Sequence, residues 1–287
     1  MIEITFENVE GQEIKLNHKE PFMLNSIDGF GDVDAEIQTA SAPYVDGSFY
    51  IDSKLQEREI NLEFTILANS ENFLSLYKRI VSNLFNPKYG EGLLRYKRGN
   101  AHYIINCVAD TVPQFPKGSG NRSLMHQKVI LTLIATDPYW RSPNKESKPL
   151  QAYVGNFTLP TTFPVEFGSS GASTEINNTS GSPVPVEIEI RGPITNPKIF
   201  NRTSDEFIQI NRSIQKDEVM IVDTTPGGKR VVVIDEDGNE KNAFGYLDSE
   251  STMWKLQLGK NLIEHVADTG NRHAQVTIKW NDRYVGV

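Results

Sequence analysis

The stretch Lys128-Val129-Ile130-Leu131-Thr132-Leu133-Ile134-Ala135-Thr136-Asp137-Pro138-Tyr139-Trp140 decides the fold. Side chains along a strand point alternately to its two faces, so Val129, Leu131, Leu133 and Ala135 share one face. Ile130 and Ile134 make the other face partly apolar, and the expectation is a strand covered on both sides. Pro138 ends it, because proline offers no ladder donor and fixes its own φ. Tyr139 and Trp140 then bring a large apolar body with polar tips, suited to a seam between domains. From Arg141 to Lys148 the residues turn polar and a different pattern begins. These readings set a first domain over residues 1–140, a linker over 141–149 and a second domain over 150–287.

A chain of 287 residues is long for one core and of ordinary size for two. Its net charge of −8 argues against nucleic-acid binding and against docking on anionic lipid, both of which need concentrated Lys and Arg. Cys107 is the single cysteine, so there is no intrachain disulfide and no thiolate metal cluster. It alternates with Tyr103 and Ile105, the setting of a buried, inert thiol. No apolar run approaches the roughly 20 residues needed to span a bilayer. Met1–Glu7 lacks the basic start and apolar middle of a signal peptide, and the expectation is a cytosolic origin.

Within the first domain, Ile2, Ile4 and Phe6 alternate, Glu10-Gly11 turns, and Ile14 and Leu16 return as a hairpin. Asp28 to Tyr50 is rich in glycine and small polar residues. It reads either as a long loop or as an arm that finds its partners on another molecule. Ile60, Leu62, Phe64 and Ile66 alternate with polar residues as a half-buried strand. Ser70 to Leu84 is the one helix: Phe73, Leu76, Tyr77, Ile80, Val81 and Leu84 recur at helical spacing, Ser70 can cap it, and Asn86-Pro87 stops it. That stripe is expected to lie on the Val129–Ala135 strand. Leu93–Arg98, a Gly99-Asn100 turn and Ala101–Val108 form another hairpin.

The second domain shows short strands between turn signals and no good helix, the pattern of a sandwich or jelly roll. Strands are expected at Val184–Ile190, Phe207–Ile210, Val219–Val222, Val231–Ile234, Met253–Leu258 and Gln275–Trp280. Asp237-Gly238 and Gly259-Lys260-Asn261 read as turns.

No catalytic, cofactor-binding or metal site emerges. His18, His102, His126, His265 and His273 share no metal-ligand spacing. Gly168-Ser169-Ser170-Gly171 lacks the flanking of a nucleophile elbow. Gly227-Gly228-Lys229-Arg230 has no following Ser or Thr and no helix, and fails as a phosphate loop. Asp235–Glu240 resembles a calcium loop but puts Glu240 where that loop needs glycine, so a hairpin tip is the simpler reading. Trp254 and Trp280 could form a sugar-stacking platform, but Trp254 shares a face with Leu256 and Leu258, which favours core packing.

Taken in order, these segments resemble the siphophage distal tail proteins. The resemblance rests on the helix Phe73–Leu84 running into Asn86-Pro87, then Gly92-Leu93-Leu94-Arg95-Tyr96, then the strand closing on Asp137-Pro138-Tyr139-Trp140. Val186–Gly192, Asn196–Ile199 and Trp254–Asn261 are similar to the galectin-like sandwich that ends those proteins. The resemblance implies a mainly β chain: an N-terminal β-sandwich with one α-helix and an extended arm, then a galectin-like or jelly-roll β-sandwich. It implies a homo-hexameric ring at the virion tail tip, made in the host cytoplasm. Its partners would be the major tail tube protein, the tail-tip (tail-associated) protein and receptor-binding proteins. DNA would pass through the ring without specific binding, and acidic side chains of the first domain are expected to line the channel. No enzyme activity, cofactor or membrane contact is implied. The galectin sugar contacts do not map onto this chain, and a carbohydrate-binding module for cell-wall glycans is the alternative.

Overall fold

A computed structural model describes residues 2–150, 172–270 and 274–287. Contacts divide the chain into two units, one of residues 1–143 with 284–287 and one of residues 144–283.

Unit 1 is built from β1 (Ile2–Glu7), β2 (Glu13–Leu16), β3 (Phe22–Asp28), β4 (Ala35–Ala40), β5 (Phe49–Leu55), β6 (Arg58–Leu67), α1 (Glu71–Leu84), β7 (Gly92–Arg98), β8 (Ala101–Ala109), β9 (His126–Ala135) and β10 (Trp140–Arg141). The sheet runs β2-β1-β7-β8-β9-β6-β3. Its two end strands are consecutive in sequence, and the Leu24 N–H donates to the Asn17 carbonyl at 2.7 Å, so the sheet curls back on itself. The inward positions of each strand fill one core. β6 sends in Ile60, Leu62, Phe64 and Ile66, and β9 sends in Val129, Leu131, Leu133 and Ala135, all at most 1% exposed. These two strands pair antiparallel over their full length, from Arg58 opposite Ala135 to Leu67 opposite His126.

The other face of β9 differs from expectation. Ile130 is exposed, and its neighbours across β6 and β3 form a polar ladder in which Thr132 Oγ1 donates to Asn61 and Asn25 Nδ2 donates to Thr65. Lys128 meets Glu63 at 2.8 Å and its hydrogen bond holds the Glu63 carboxyl below the usual range.

Helix α1 starts at Ser70, whose hydroxyl accepts the Phe73 N–H, a cap of about 1 kcal/mol. It packs against β6, and its C-terminal neighbour Phe85 stacks on Phe6 with ring centroids 4.7 Å apart. The core takes Leu74, Val81 and Leu84, with Tyr77 half-buried, and leaves Phe73, Leu76 and Ile80 outside. The sequence stripe is therefore wider than the face the core covers. Periodicity registers an apolar face without saying which part of it the chain itself will bury.

Of the two readings of residues 28–50, a long loop or an arm, the structure takes the arm, which extends to Leu55. β4 and β5 pair antiparallel as a two-stranded hairpin, with Ala35 opposite Leu55 and Ala40 opposite Phe49. Every residue of the two strands is exposed except Leu55, which is half-buried.

Unit 2 continues with β11 (Glu146–Leu150), β12 (Ala172–Asn178), β13 (Val184–Pro185), β14 (Glu187–Arg191), β15 (Ile194–Thr195), β16 (Lys198–Asn201), β17 (Glu206–Gln209), β18 (Ser213–Ile214), β19 (Val219–Asp223), β20 (Arg230–Ile234), β21 (Glu240–Asn242), β22 (Lys255–Leu256), β23 (Gly259–Val266) and β24 (Gln275–Trp280). A six-stranded sheet in the order β11-β24-β14-β19-β20-β21 and a four-stranded sheet in the order β12-β23-β16-β17 contribute to one core, the arrangement of a β-sandwich. Ile188, Ile190, Val222, Ile263 and Ile278 meet there, together with Trp254.

Two local expectations change. Gly259-Lys260-Asn261 opens a long strand, β23, in place of a turn, and Met253–Leu258 contributes only the two residues of β22. Polar residues at inward positions hide the period of β23. Asn261 is buried and donates to the Gln257 carbonyl at 2.7 Å, and His265 is buried two residues beyond Ile263. The linker expected at 141–149 contains β11, which pairs with β24 from Glu146 opposite Trp280 to Leu150 opposite Val276. The last four residues, expected in the second domain, lie in unit 1, where Tyr284 packs edge-on against Tyr103.

Candidate assembly surface

The site that emerges is a surface with a rigid root, and its centre is Arg58. Arg58 has the parity of Ile60, Leu62 and Phe64, so the strand drives a guanidinium inward, where it is fully buried. It donates to the carbonyls of Gly29, Asp32 and Pro138 at 2.8, 2.5 and 2.8 Å, to Phe30 at 3.3 Å, and to Val285. Burial pulls its pKa below the usual arginine value, Asp32 opposing, yet a guanidinium remains charged at neutral pH. Five carbonyls from three separate segments thus converge on one cation.

The Asp137–Trp140 motif belongs to the same knot. Trp140 is buried in the core of unit 1, in place of the expected seam position, and its ring lies 4.9 Å from that of Phe30. Its indole N–H donates to the Phe30 carbonyl at 3.1 Å, and the Val287 N–H donates to the same oxygen at 3.2 Å. Gly29 runs so close to β6 that a Cβ there would collide with the Glu59 carbonyl, and its φ is 81°. The segment leading into the β4–β5 arm is therefore held through its backbone by the Arg58 and Trp140 side chains, the Val287 N–H and its close approach to β6.

Beyond that root the arm stands free. Ile37, Tyr50 and Ile51 are 63%, 65% and 60% exposed, and Tyr44 at the tip is fully exposed with a φ of 65°. Cross-strand pairing puts Ile37 with Ser53 and Thr39 with Tyr50, and Tyr50 Oη donates to Ser53 Oγ at 3.0 Å. Ile37, Tyr50 and Leu55 consequently share one face, opposite Glu36, Gln38 and Asp52. From residue 28 to residue 59 the sequence holds eight Asp and Glu against one Lys and one Arg. The second uncovered apolar surface is the Phe73–Leu76–Ile80 ridge of α1. These exposed apolar side chains make the arm and the ridge candidate interaction surfaces.

The residues singled out for chemistry do not converge. Among the described residues no group of His, Cys, Asp or Glu could hold a metal ion. His18 and His102 are exposed, His126 bonds Ser123 Oγ at 2.7 Å through Nδ1, and His265 is buried. His273 and Gly168–Gly171 lie outside the described residues. Asp235–Glu240 is the tip between β20 and β21, and the Asp235 carboxylate accepts from Lys241 at 2.8 Å and from the Asn239 N–H at 2.9 Å. Gly227–Arg230 is the turn leading into β20. Burial raises the Cys107 thiol's pKa, which keeps it protonated. Trp254 is a core residue and Trp280 packs against the same core. On the four-stranded sheet, Lys198 lies over the Phe207 ring at 3.6 Å and Arg202 over the Phe200 ring at 3.9 Å.

Comparison with known proteins draws these features together. The family described as "Phage tail protein RIFT-related domain" matches residues 9–134, and "Siphovirus-type tail component, C-terminal domain" matches residues 179–284. Among solved structures, the distal tail protein of phage SPP1 matches with a TM-score of 0.70 at 13% identity, over 99% of both chains. It is described as a paradigm of the hub adsorption apparatus in phages that infect Gram-positive hosts. A chain of the phage P2 baseplate in its activated conformation with calcium matches with a TM-score of 0.58 at 10% identity, over 100% of both chains. The same baseplate with strontium gives 0.56 at 10% identity, over 97% of this chain and 98% of the other. No curated protein matches the chain in sequence. Two family matches in the expected order, a fold shared from end to end, and a fixed root beneath uncovered apolar surfaces lead to one conclusion. The chain belongs to the siphophage distal tail proteins and is a structural component of the phage tail and baseplate.

Proposed function

We propose that the chain closes into a homo-hexameric ring at the tail tip. The ring joins the tail tube protein to the tail-tip protein and offers unit 2 as an anchor for receptor-binding proteins. It is a scaffold with no enzyme activity and no cofactor, assembled in the host cytoplasm. One observation carries this reading: an ordered hairpin arm, fastened at its root and exposed along its whole length, is costly unless a second molecule covers it. DNA passes through the ring unbound, because a chain of net charge −8 offers little counterion release. Carboxylates of unit 1 face the channel, and an assembled ring with a Lys- and Arg-lined lumen would sink that part of the proposal.

The test is deletion of residues 35–55 with a short Gly-Ser closure. The expected product is a folded monomer, because neither strand contributes to the core. Light scattering and negative-stain images should show rings for the intact chain and none for the deletion. Rings formed without the arm would refute its role in closure.

A further inference from the structure

We propose that the arm of one copy lies across the α1 ridge of the next copy, apolar face to apolar face. This contact rests on the ring reading above and names the surfaces that close it. Both surfaces are uncovered within the chain: Ile37 and Tyr50 on the arm, Phe73, Leu76 and Ile80 on the helix. Beside Phe73 the surface dips into a groove of about 260 Å³, walled by Pro21, Leu67, Ala68 and Tyr77 with Glu20 and Asn69 at its polar side, which can receive an aromatic side chain of the arm.

Charge decides among the pairings these surfaces allow. Arm against arm would bring two carboxylate-rich segments together, and ridge against ridge would bring Arg79 near Arg79. Arm against ridge brings the acidic arm, whose Glu36 and Asp52 lie on the face away from Ile37 and Tyr50, near exposed Arg79 and Lys88. Lys78 is taken up by the Phe115 ring, while Arg79 is in no ion pair among the described residues. Like charges across an interface are disfavoured and opposite charges steer encounter, so the mixed pairing wins. Symmetry points the same way. Self-pairing of either surface is isologous and stops at a dimer, whereas arm on ridge is head-to-tail and continues until a ring closes.

The head-to-tail geometry has a sharp consequence. Tyr50→Asp spoils the arm and leaves the ridge, and Ile80→Asp spoils the ridge and leaves the arm. Both positions are exposed, so each variant should fold, which far-UV circular dichroism checks, with Ile37→Asp and Phe73→Asp as replicates. Each variant alone is expected to be a monomer by light scattering. Mixed one to one, they should form a heterodimer and nothing larger, because one intact arm meets one intact ridge and the remaining surfaces are spoiled. Rings formed by either variant alone would overturn the contact. So would folded monomers that stay separate in the mixture while the unmodified chain forms rings. An unmodified chain that is monomeric throughout overturns the ring reading and this contact together.

Discussion

Arg58→Met tests whether one buried cation fixes the arm. Methionine keeps most of the side-chain volume and removes all donors, so the change isolates hydrogen bonding from cavity formation. Replacing a buried charge by a hydrophobe is often neutral, because desolvation of the ion is relieved. Here the partners are main-chain carbonyls that stay behind. Those of Gly29 and Phe30 bond Arg58 in fully buried positions. Leaving such acceptors without a donor costs about 1–3 kcal/mol each. Phe30 keeps its bonds from Trp140 and Val287, so the loss falls in full on buried Gly29 and in part on the half-buried bonds to Asp32, Pro138 and Val285. After allowance for the relieved desolvation, a net destabilisation of about 3 kcal/mol is expected. With a urea slope of about 2 kcal/mol/M, the unit 1 midpoint should fall by about 1.5 M. Hydrogen exchange adds location: amides of residues 29–33 and 284–287 should exchange about 100-fold faster, with unit 2 unchanged. Arg58→Lys should fall between the two, since one ammonium cannot fork across five carbonyls. A midpoint shift under about 0.5 M, or exchange that accelerates uniformly along the chain, would refute the reasoning.

Further outcomes follow from the same geometry. Gly29→Ala should destabilise unit 1 by more than about 2 kcal/mol in urea melts, since it adds a strained positive φ to a collision with the Glu59 carbonyl; an unchanged midpoint would show that β3 and β6 can separate at little cost. In unit 2, burial pushes the Glu189 carboxyl up, but hydrogen bonds from Lys279 and Arg191 outweigh it and hold the pKa below the usual carboxylate value. A depressed carboxyl contributes stability that is present above its unfolded pKa of about 4.3 and lost as pH falls through the folded value. Thermal melts of the intact chain and of Glu189→Gln should therefore differ most near neutral pH and converge in acid; a gap that widens on acidification would reverse the sign.

Much of the fold was legible in the sequence because the inward residues of most strands are aliphatic. Val129–Ala135, Ile60–Ile66 and Val184–Ile190 each display the two-residue period that a buried face requires. β23 escaped because Asn261 and His265 occupy inward positions, so a buried strand reads as polar. The assembly surface was legible only in part. Asp28–Tyr50 reads as a possible arm, but Ile37 and Phe49–Ile51 become conspicuous only once pairing shows them uncovered. The ridge was hidden inside a correct helix assignment, since the spacing of Phe73, Leu76 and Ile80 is the same whether its partner is the chain itself or a neighbour. Arg58 left a trace that could have been used. It stands in phase with Ile60, Leu62, Phe64 and Ile66, and a charged residue at an inward position must find buried acceptors or be expelled. Its acceptors come from residues 29–32, 138 and 285, a separation no local pattern records.

That spread of acceptors explains why a cation is more useful at this point than another isoleucine. An apolar residue would bury area but leave the carbonyls of Gly29, Asp32 and Pro138 without donors, and the arm root would have no fixed direction. Five donors in a planar fork specify where three chain segments meet, which packing alone does not. Direction matters for a surface that must meet a partner. Association loses translational and rotational freedom, and a flexible arm would add the entropy of ordering its backbone at about 1–2 kcal/mol per residue. Pairing β4 with β5 and pinning the root place that cost in folding, before any neighbour arrives. On the proposed reading, the arm then contributes its apolar face to ring closure with little left to order. A variant that frees the root while sparing the arm's exposed side chains, as Arg58→Met does, should weaken ring formation with every contact residue still in place.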